Sequence, residues 1–155
     1  MTEHSGVKAS SGVTTFLFTD IEGSTRLWDR DHERMRLALA SHDAIVRAAI
    51  EDNRGIVVKM SGDGAHAAFA DPLDALAAAL QLQRALADPA ATHAVELRVR
   101  CGLHAGVTER RDADFFGGAV NRAARVMSVA HGGQVLLSQA VATVVGERLP
   151  ADVAL

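Results

Sequence analysis

Ile56-Val57-Val58-Lys59-Met60-Ser61-Gly62-Asp63-Gly64-Ala65-His66-Ala67-Ala68-Phe69-Ala70 reads as two apolar runs folded about an acid with a glycine on either side. Ile56 to Lys59 begins a strand, Ser61-Gly62-Asp63-Gly64 has turn chemistry, and Ala65 to Ala70 returns, which predicts a hairpin. Upstream, Val13 to Thr19 is a short buried strand rich in β-branched and aromatic residues. A long helical segment over Ser24 to Asn53 lies between them, with Leu27, Leu37, Ile45, Val46 and Ile50 as core positions and Gly55 as its punctuation. Downstream, Asp71-Pro72 pairs a cap with proline at the first helical position, and Leu73, Leu76, Leu80 and Leu86 carry a helix to about Ala87. Val95 to Ala105 alternates as a half-buried strand, Glu109 to Asp114 is a charged loop, and Gly117 to Ala130 is a helix ended by Gly132-Gly133. Gln134 to Leu137 is a further strand, and Ser138 caps a last helix to about Val145. The order is β-α-β-β-α-β, then α-β-α. This predicts an α+β fold: a ferredoxin-like βαββαβ core with an added αβα extension.

The chain of 155 residues is long enough for one core, and its hydrophobic fraction of 48% predicts a globular domain rather than disorder. Residues 1–12 are polar and contain Ser and Gly, which predicts a flexible tail before a domain over 13–155. No apolar stretch has the roughly 18 residues a membrane helix needs, and the tail lacks an apolar signal core. The lone cysteine, Cys101, excludes an internal disulfide and fits a reducing, cytoplasmic compartment. A formal charge of −3 provides no basic footprint for nucleic acid.

The chemistry concentrates in two acids. Asp20 ends the first apolar run in Phe16-Leu17-Phe18-Thr19-Asp20-Ile21-Glu22-Gly23-Ser24-Thr25, where a helix opens. Taken singly, Asp20 or Ser24 is an ordinary helix cap and Asp63 an ordinary turn residue. Together, on neighbouring strands, the two carboxylates can hold divalent cations against a polyphosphate, while Gly23 and the helix N-terminus present N–H groups to phosphate oxygens. Lys59, on an otherwise apolar strand, is either an edge charge or a donor aimed into a cleft. Asn121 and Arg125, four apart, share one helix face among small residues. His66 and His104 lack metal-ligand partners at useful spacing and read as structural, and Cys101 as buried and inert.

Four segments in order carry a resemblance: Phe16 to Thr25, Lys59 to Gly64, Gly102-Leu103-His104-Ala105-Gly106, and Asp114-Phe115-Phe116-Gly117-Gly118-Ala119-Val120-Asn121-Arg122-Ala123-Ala124-Arg125. The chain resembles the class III adenylyl and guanylyl cyclase catalytic domain, in its bacterial adenylyl style. The resemblance implies conversion of ATP to 3′,5′-cyclic AMP and pyrophosphate with two Mg²⁺ or Mn²⁺ ions per site. It assigns metal binding to Asp20, Asp63 and the Ile21 carbonyl, and base recognition to Lys59 and Asp114. It assigns the transition state to Asn121 and Arg125. Gly23, Ser24 and Thr25, at the turn into the helix, are the substrate-binding candidates for phosphate that the residues themselves suggest. Guanylyl members commonly place Glu and Cys at the base-recognising positions, so ATP is favoured over GTP. The resemblance also implies a head-to-tail homodimer with shared sites, and regulatory domains in a longer parent chain.

Two departures accompany it. The chain stops at Leu155 without the final hairpin that supplies a phosphate-binding lysine, and Val107 stands where vertebrate cyclases place a phosphate-contacting arginine. Arg110 and Arg111 are the candidates to replace those cations. A second reading, a catalytically weak nucleotide-binding or dimerisation module, does not need Asn121 and Arg125. A diguanylate cyclase would need a Gly-Gly-Asp/Glu-Glu-Phe turn, and a P-loop enzyme a Gly-x4-Gly-Lys-Ser/Thr; neither occurs.

Overall fold

The structure is a computed structural model and describes residues 10–112 and 114–155. The tail expected over 1–12 falls outside the described residues up to residue 9. From Ser10 onward the chain is already in the first strand, β1 (Ser10–Ile21), in register with β4 (Val99–Arg111) from Ser10↔Arg110 to Ile21↔Val99. Between these two strands in the chain come β2 (Ile56–Ser61) and β3 (Gly64–Phe69); β5 (Asp114–Phe116) and β6 (Val135–Leu137) follow. The strand order is β2-β3-β1-β4-β5, with β6 parallel to β4. The first four strands thus have the ferredoxin-like arrangement the element order predicts.

The helix expected over Ser24 to Asn53 is two helices, α1 (Ser24–Arg30) and α2 (His32–Asp52). Asp31 is extended, with φ −157° and ψ 92°. Its N–H closes α1 on the Leu27 carbonyl, and its side chain accepts the Arg34 N–H at 3.0 Å to open α2. An N-cap outcompetes continuation because it satisfies a donor the helix start leaves orphaned. At the far end of α2 the Gly55 N–H bonds Ile50 O and the Arg54 N–H bonds Glu51 O, a Schellman closure with Arg54 at φ 64°. Gly55 serves packing instead: a Cβ there would lie 2.4 Å from the Phe69 ring.

On α3 (Pro72–Leu86) the Asp71 carboxylate caps the Leu73 N–H at 2.9 Å, as Asp71-Pro72 predicts. The segment expected as a charged loop, Glu109 to Asp114, instead continues β4 and turns into β5, pairing Arg111 with Asp114. The helices α4 (Gly118–Ser128) and α5 (Gln139–Val145) complete the chain. Among the described residues no helix is long and apolar enough to cross a membrane.

Alternation divides the sheet into two faces. Leu17, Ile21, Ala67, Phe69, Val99, Cys101 and Leu103 pack with Met35, Val46 and Ile50 of α2, Leu76 and Leu82 of α3, and Val141 and Val145 of α5. Leu37, expected in this core, is 40% exposed. The opposite face carries Phe16 and Ala68, covered by Phe115, Ala119 and Ala123, with half-buried Phe18 and Val58 beside them. Gly102 sets how closely α4 approaches, since a Cβ there would meet the Met127 backbone at 2.3 Å. This second face carries the chemistry.

Candidate functional site

The two acids meet through β3, not through β2 as the hairpin reading places them. β3 lies beside β1 with Asp20 opposite Gly64, so the turn that precedes β3 brings Asp63 to the end of β1. The Ile21 N–H donates to the Asp63 carbonyl at 3.1 Å, and Ser24 Oγ donates to Asp63 Oδ2 at 2.7 Å. Gly64 makes the approach possible, because a Cβ there would stand 2.4 Å from the Thr19 carbonyl oxygen. Gly62 (φ 46°) and Gly23 (φ 68°) take the left-handed conformations of the two turns. Ser24 is thus engaged with an acid, while Gly23 and Thr25 are exposed at the start of α1.

Asp20 has a partner that strand patterning alone leaves unmarked. Arg100 lies opposite it on β4 and grips both carboxylate oxygens, Nε to Oδ1 at 2.6 Å and Nη2 to Oδ2 at 2.5 Å. The pair raises the Arg100 pKa through its hydrogen bond to Asp20, against burial and with support from Glu22 and Asp63. Only the inter-strand register reveals this contact; the sequence signal is a charged residue on the polar side of an alternating strand.

The donor chemistry suits a hard cation. Two carboxylates and neighbouring backbone carbonyls are oxygen ligands of the kind that bind Mg²⁺ or Mn²⁺ together with water and phosphate oxygens. Among the described residues no group of three or more His, Cys, Asp or Glu side chains forms a self-sufficient metal cluster. A small acid pair completed by a phosphorylated ligand fits that finding.

Lys59 and Asp114 come from strands at the two ends of the β2-β3-β1-β4-β5 order and line one cavity of about 560 Å³ with Val58, His66, Arg111, Asp112 and Phe116. A β-bulge produces the Lys59 side of it. Val57 pairs with Ala67, whose side chain is in the main core, but the register then shifts so that Lys59, not Val58, opposes His66. Without that extra residue Lys59 would point to the core face. His66 stacks on Phe18 with ring centroids 4.2 Å apart. Burial pushes its pKa down to about 4, with Asp114 pulling the other way. Its Nε2 is buried without a hydrogen-bond partner among the described residues.

Asn121 and Arg125 are exposed on α4 and make no side-chain hydrogen bond or ion pair to Asp20, Asp63, Lys59 or Asp114 among the described residues. Arg110 and Arg111 lie at the opposite end of β4 from Arg100, over the rings of Phe115 and Phe116, away from the acid turn of their own chain. A different group, with three arginines, borders the turn between β1 and α1. Arg26, Arg30, Arg98 and His131 line a cavity of about 630 Å³ with Glu22, Gly23, Leu27 and Glu96. His104 bonds Ser138 Oγ at 2.8 Å, and its pKa is lowered by burial and by Arg122, in keeping with a structural role. Cys101 is fully buried and its thiol is pushed up to about 12 by burial.

Comparison with known proteins agrees with this architecture. The family model for the adenylate and guanylate cyclase catalytic domain matches residues 7–150. An uncharacterized protein of Mycobacterium tuberculosis is 42% identical over 144 residues, which cover 92% of this chain and 48% of that protein. An adenylate cyclase of Schizosaccharomyces pombe is 33% identical over 166 residues, 91% of this chain and 10% of the yeast protein. A structure of a Trypanosoma brucei adenylate cyclase in its monomeric state superposes with a TM-score of 0.77 at 30% identity, over 85% of this chain and 75% of that one. The chain spans about half the length of the mycobacterial relative and about a tenth of the yeast one.

Proposed function

Because the chain belongs to the adenylate and guanylate cyclase catalytic domain family, we propose that it converts ATP to 3′,5′-cyclic AMP and pyrophosphate in the cytoplasm. The ribose 3′-oxygen forms a bond to the α-phosphorus as the bond to the pyrophosphate oxygen breaks. One observation carries the choice of ATP: Lys59 and Asp114 line the same cavity. An ammonium donates to adenine N1 and a carboxylate accepts from the N6 amine, whereas guanine offers a proton on N1 and a carbonyl at position 6. Phe18 and His66 provide aromatic surface beside that pair. The adenylate cyclases among the relatives support the same substrate.

Asp20, Asp63 and the Ile21 carbonyl would hold two Mg²⁺ or Mn²⁺ ions. When bound, these supply positive charge at the α-phosphate and the attacking hydroxyl. Ser24 fixes the Asp63 carboxylate, and Gly23, Ser24 and Thr25 offer backbone N–H groups to phosphate oxygens. Arg26, Arg30 and Arg98 place positive charge beside that loop. Asn121 orients the ribose, and Arg125 stabilises charge growing on the α-phosphate. Both belong to the partner's site in a head-to-tail homodimer, which agrees with their exposure and with their making no side-chain bond to Asp20, Asp63, Lys59 or Asp114 among the described residues.

The test is cyclic AMP formation from ATP with Mn²⁺, at a series of protein concentrations, beside Asp63→Ala and a GTP control. Activity that prefers ATP, rises more steeply than linearly with protein and disappears in the variant is expected. Absence of cyclic AMP at high protein concentration, or equal activity in Asp63→Ala, overturns the reading.

A further inference from the structure

The Arg100–Asp20 pair occupies the position where an incoming cation would have to act. Both Asp20 oxygens are taken by one guanidinium, and Arg100 Nη1 also reaches the Ser128 carbonyl at 3.4 Å at the end of α4. The two side chains are only 27% and 22% exposed, so water screens the pair weakly. Asp20 and Arg100 face each other in register on β1 and β4, with no loop between to relax. Asp63 is different: it accepts a neutral hydroxyl, which leaves its charge uncompensated by a direct partner among the described residues.

From this geometry we propose that Arg100 is the counter-ion of the metal-free acid pair, a positioning residue that keeps divalent-ion affinity low until a polyphosphate accompanies the ion. A cation that ligates Asp20 must share an oxygen that already accepts a charge-assisted hydrogen bond from Arg100, and then sit near a guanidinium of like sign. The negative charge of a triphosphate cancels that repulsion; a bare ion has nothing to cancel it with. Metal therefore enters together with nucleotide. While the site is empty, the Arg100 guanidinium offsets the negative charge of the Asp20 carboxylate beside Asp63.

The proposal rests on the metal reading above, and the test separates the two. Mn²⁺ binding to the whole chain is measured by the loss of the free-ion electron paramagnetic resonance signal, without nucleotide and with a non-hydrolysable ATP analogue. Wild type is expected to bind bare Mn²⁺ weakly and to gain at least tenfold with the analogue. Arg100→Gln, which keeps one donor but loses the charge, is expected to bind bare Mn²⁺ at least tenfold tighter than wild type. Arg100→Lys, which keeps the charge but one point of contact, falls between them and decides the matter if Arg100→Gln does not fold. Asp20→Asn in the Arg100→Gln background should abolish the gain. Tight bare-ion binding by wild type, equal to that of the Arg100 variants, overturns the role of Arg100 and leaves the metal site standing. No binding by any form, even with the analogue, overturns both.

Discussion

Replacing Gly64 with alanine adds one methyl group at the seam between the two acids. Its Cβ would lie 2.4 Å from the Thr19 carbonyl oxygen and 3.4 Å from Asp20 Cβ, where contacts under 3.0 Å are essentially never seen. The shortfall is about 0.6 Å (3.0 − 2.4), and the obstacle is backbone of a strand that β4 holds from the other side, so rotamer adjustment cannot relieve it. β3 and its turn must move instead. Overpacking of this kind costs about 1–3 kcal/mol; at about 2–4 °C per kcal/mol for a chain this long, the melting temperature falls by roughly 2–12 °C. Asp63, whose carbonyl is tied to the Ile21 N–H, travels with the turn. A displacement approaching 1 Å at a reacting centre can cost on the order of 10²-fold in rate, so cyclic AMP formation should fall more than stability alone explains. Gly12→Ala is the control, since a Cβ there meets nothing within 4 Å. Thermal melts and initial rates of the three proteins are the assay. If Gly64→Ala melts within about 1 °C of Gly12→Ala and matches its rate, the seam does not position the acids.

Three further outcomes are expected. With its thiol pushed up to about 12 from an ordinary 9.0, Cys101 should be alkylated at pH 8 roughly 10³-fold more slowly in the folded protein than in urea, and equal rates would contradict its burial. Lys59→Glu combined with Asp114→Cys should shift the ratio of cyclic GMP to cyclic AMP formed by at least about tenfold toward GTP; an unchanged ratio would remove these residues from base recognition. His66 has its folded pKa depressed from 6.5 to about 4, so protonation favours the unfolded chain, and the stability present above the unfolded value is lost as pH falls from 6.5 toward 4. His66→Phe should lose less of its urea midpoint than wild type between pH 7 and pH 4.5, and parallel losses would refute the assignment.

The β2–β3 hairpin and the helix after it were legible, because Asp63 between two glycines marks the turn and Asp71-Pro72 marks α3 with a cap that the structure contains. The break at Asp31 was not legible. Nothing in the apolar spacing of 24–53 separates a continuous helix from two capped ones, and the cap decides through a local hydrogen bond. The β5 hairpin was hidden by its charge, since Arg110 and Arg111 lean on Phe115 and Phe116 instead of solvating a loop. The approach of Asp63 to Asp20 was legible from the two motifs, but the contacts of Lys59 and Arg100 were not. That Lys59 shares a face with His66 depends on a one-residue bulge, and that Arg100 grips Asp20 depends on the β1–β4 register; both are long-range facts. Leu37 was misplaced because the buried stripe of α2 runs through Met35, Ala38, His42, Val46 and Ala49, and position 37 lies outside it.

The register of β4 has a consequence for lineage history. Arg100, Gly102 and Gly106 lie on the face toward Asp20 and α4, while Val99, Cys101 and Leu103 alternate into the main core. Deleting or inserting one residue between 99 and 111 would exchange these two sets, burying a guanidinium and expelling the core, whereas a substitution disturbs one position at a time. Homologues of this domain should therefore vary in length between α3 and β4, around 88–96, and scarcely ever within β4. Gene length polymorphism should map the strand as clearly as any structure does.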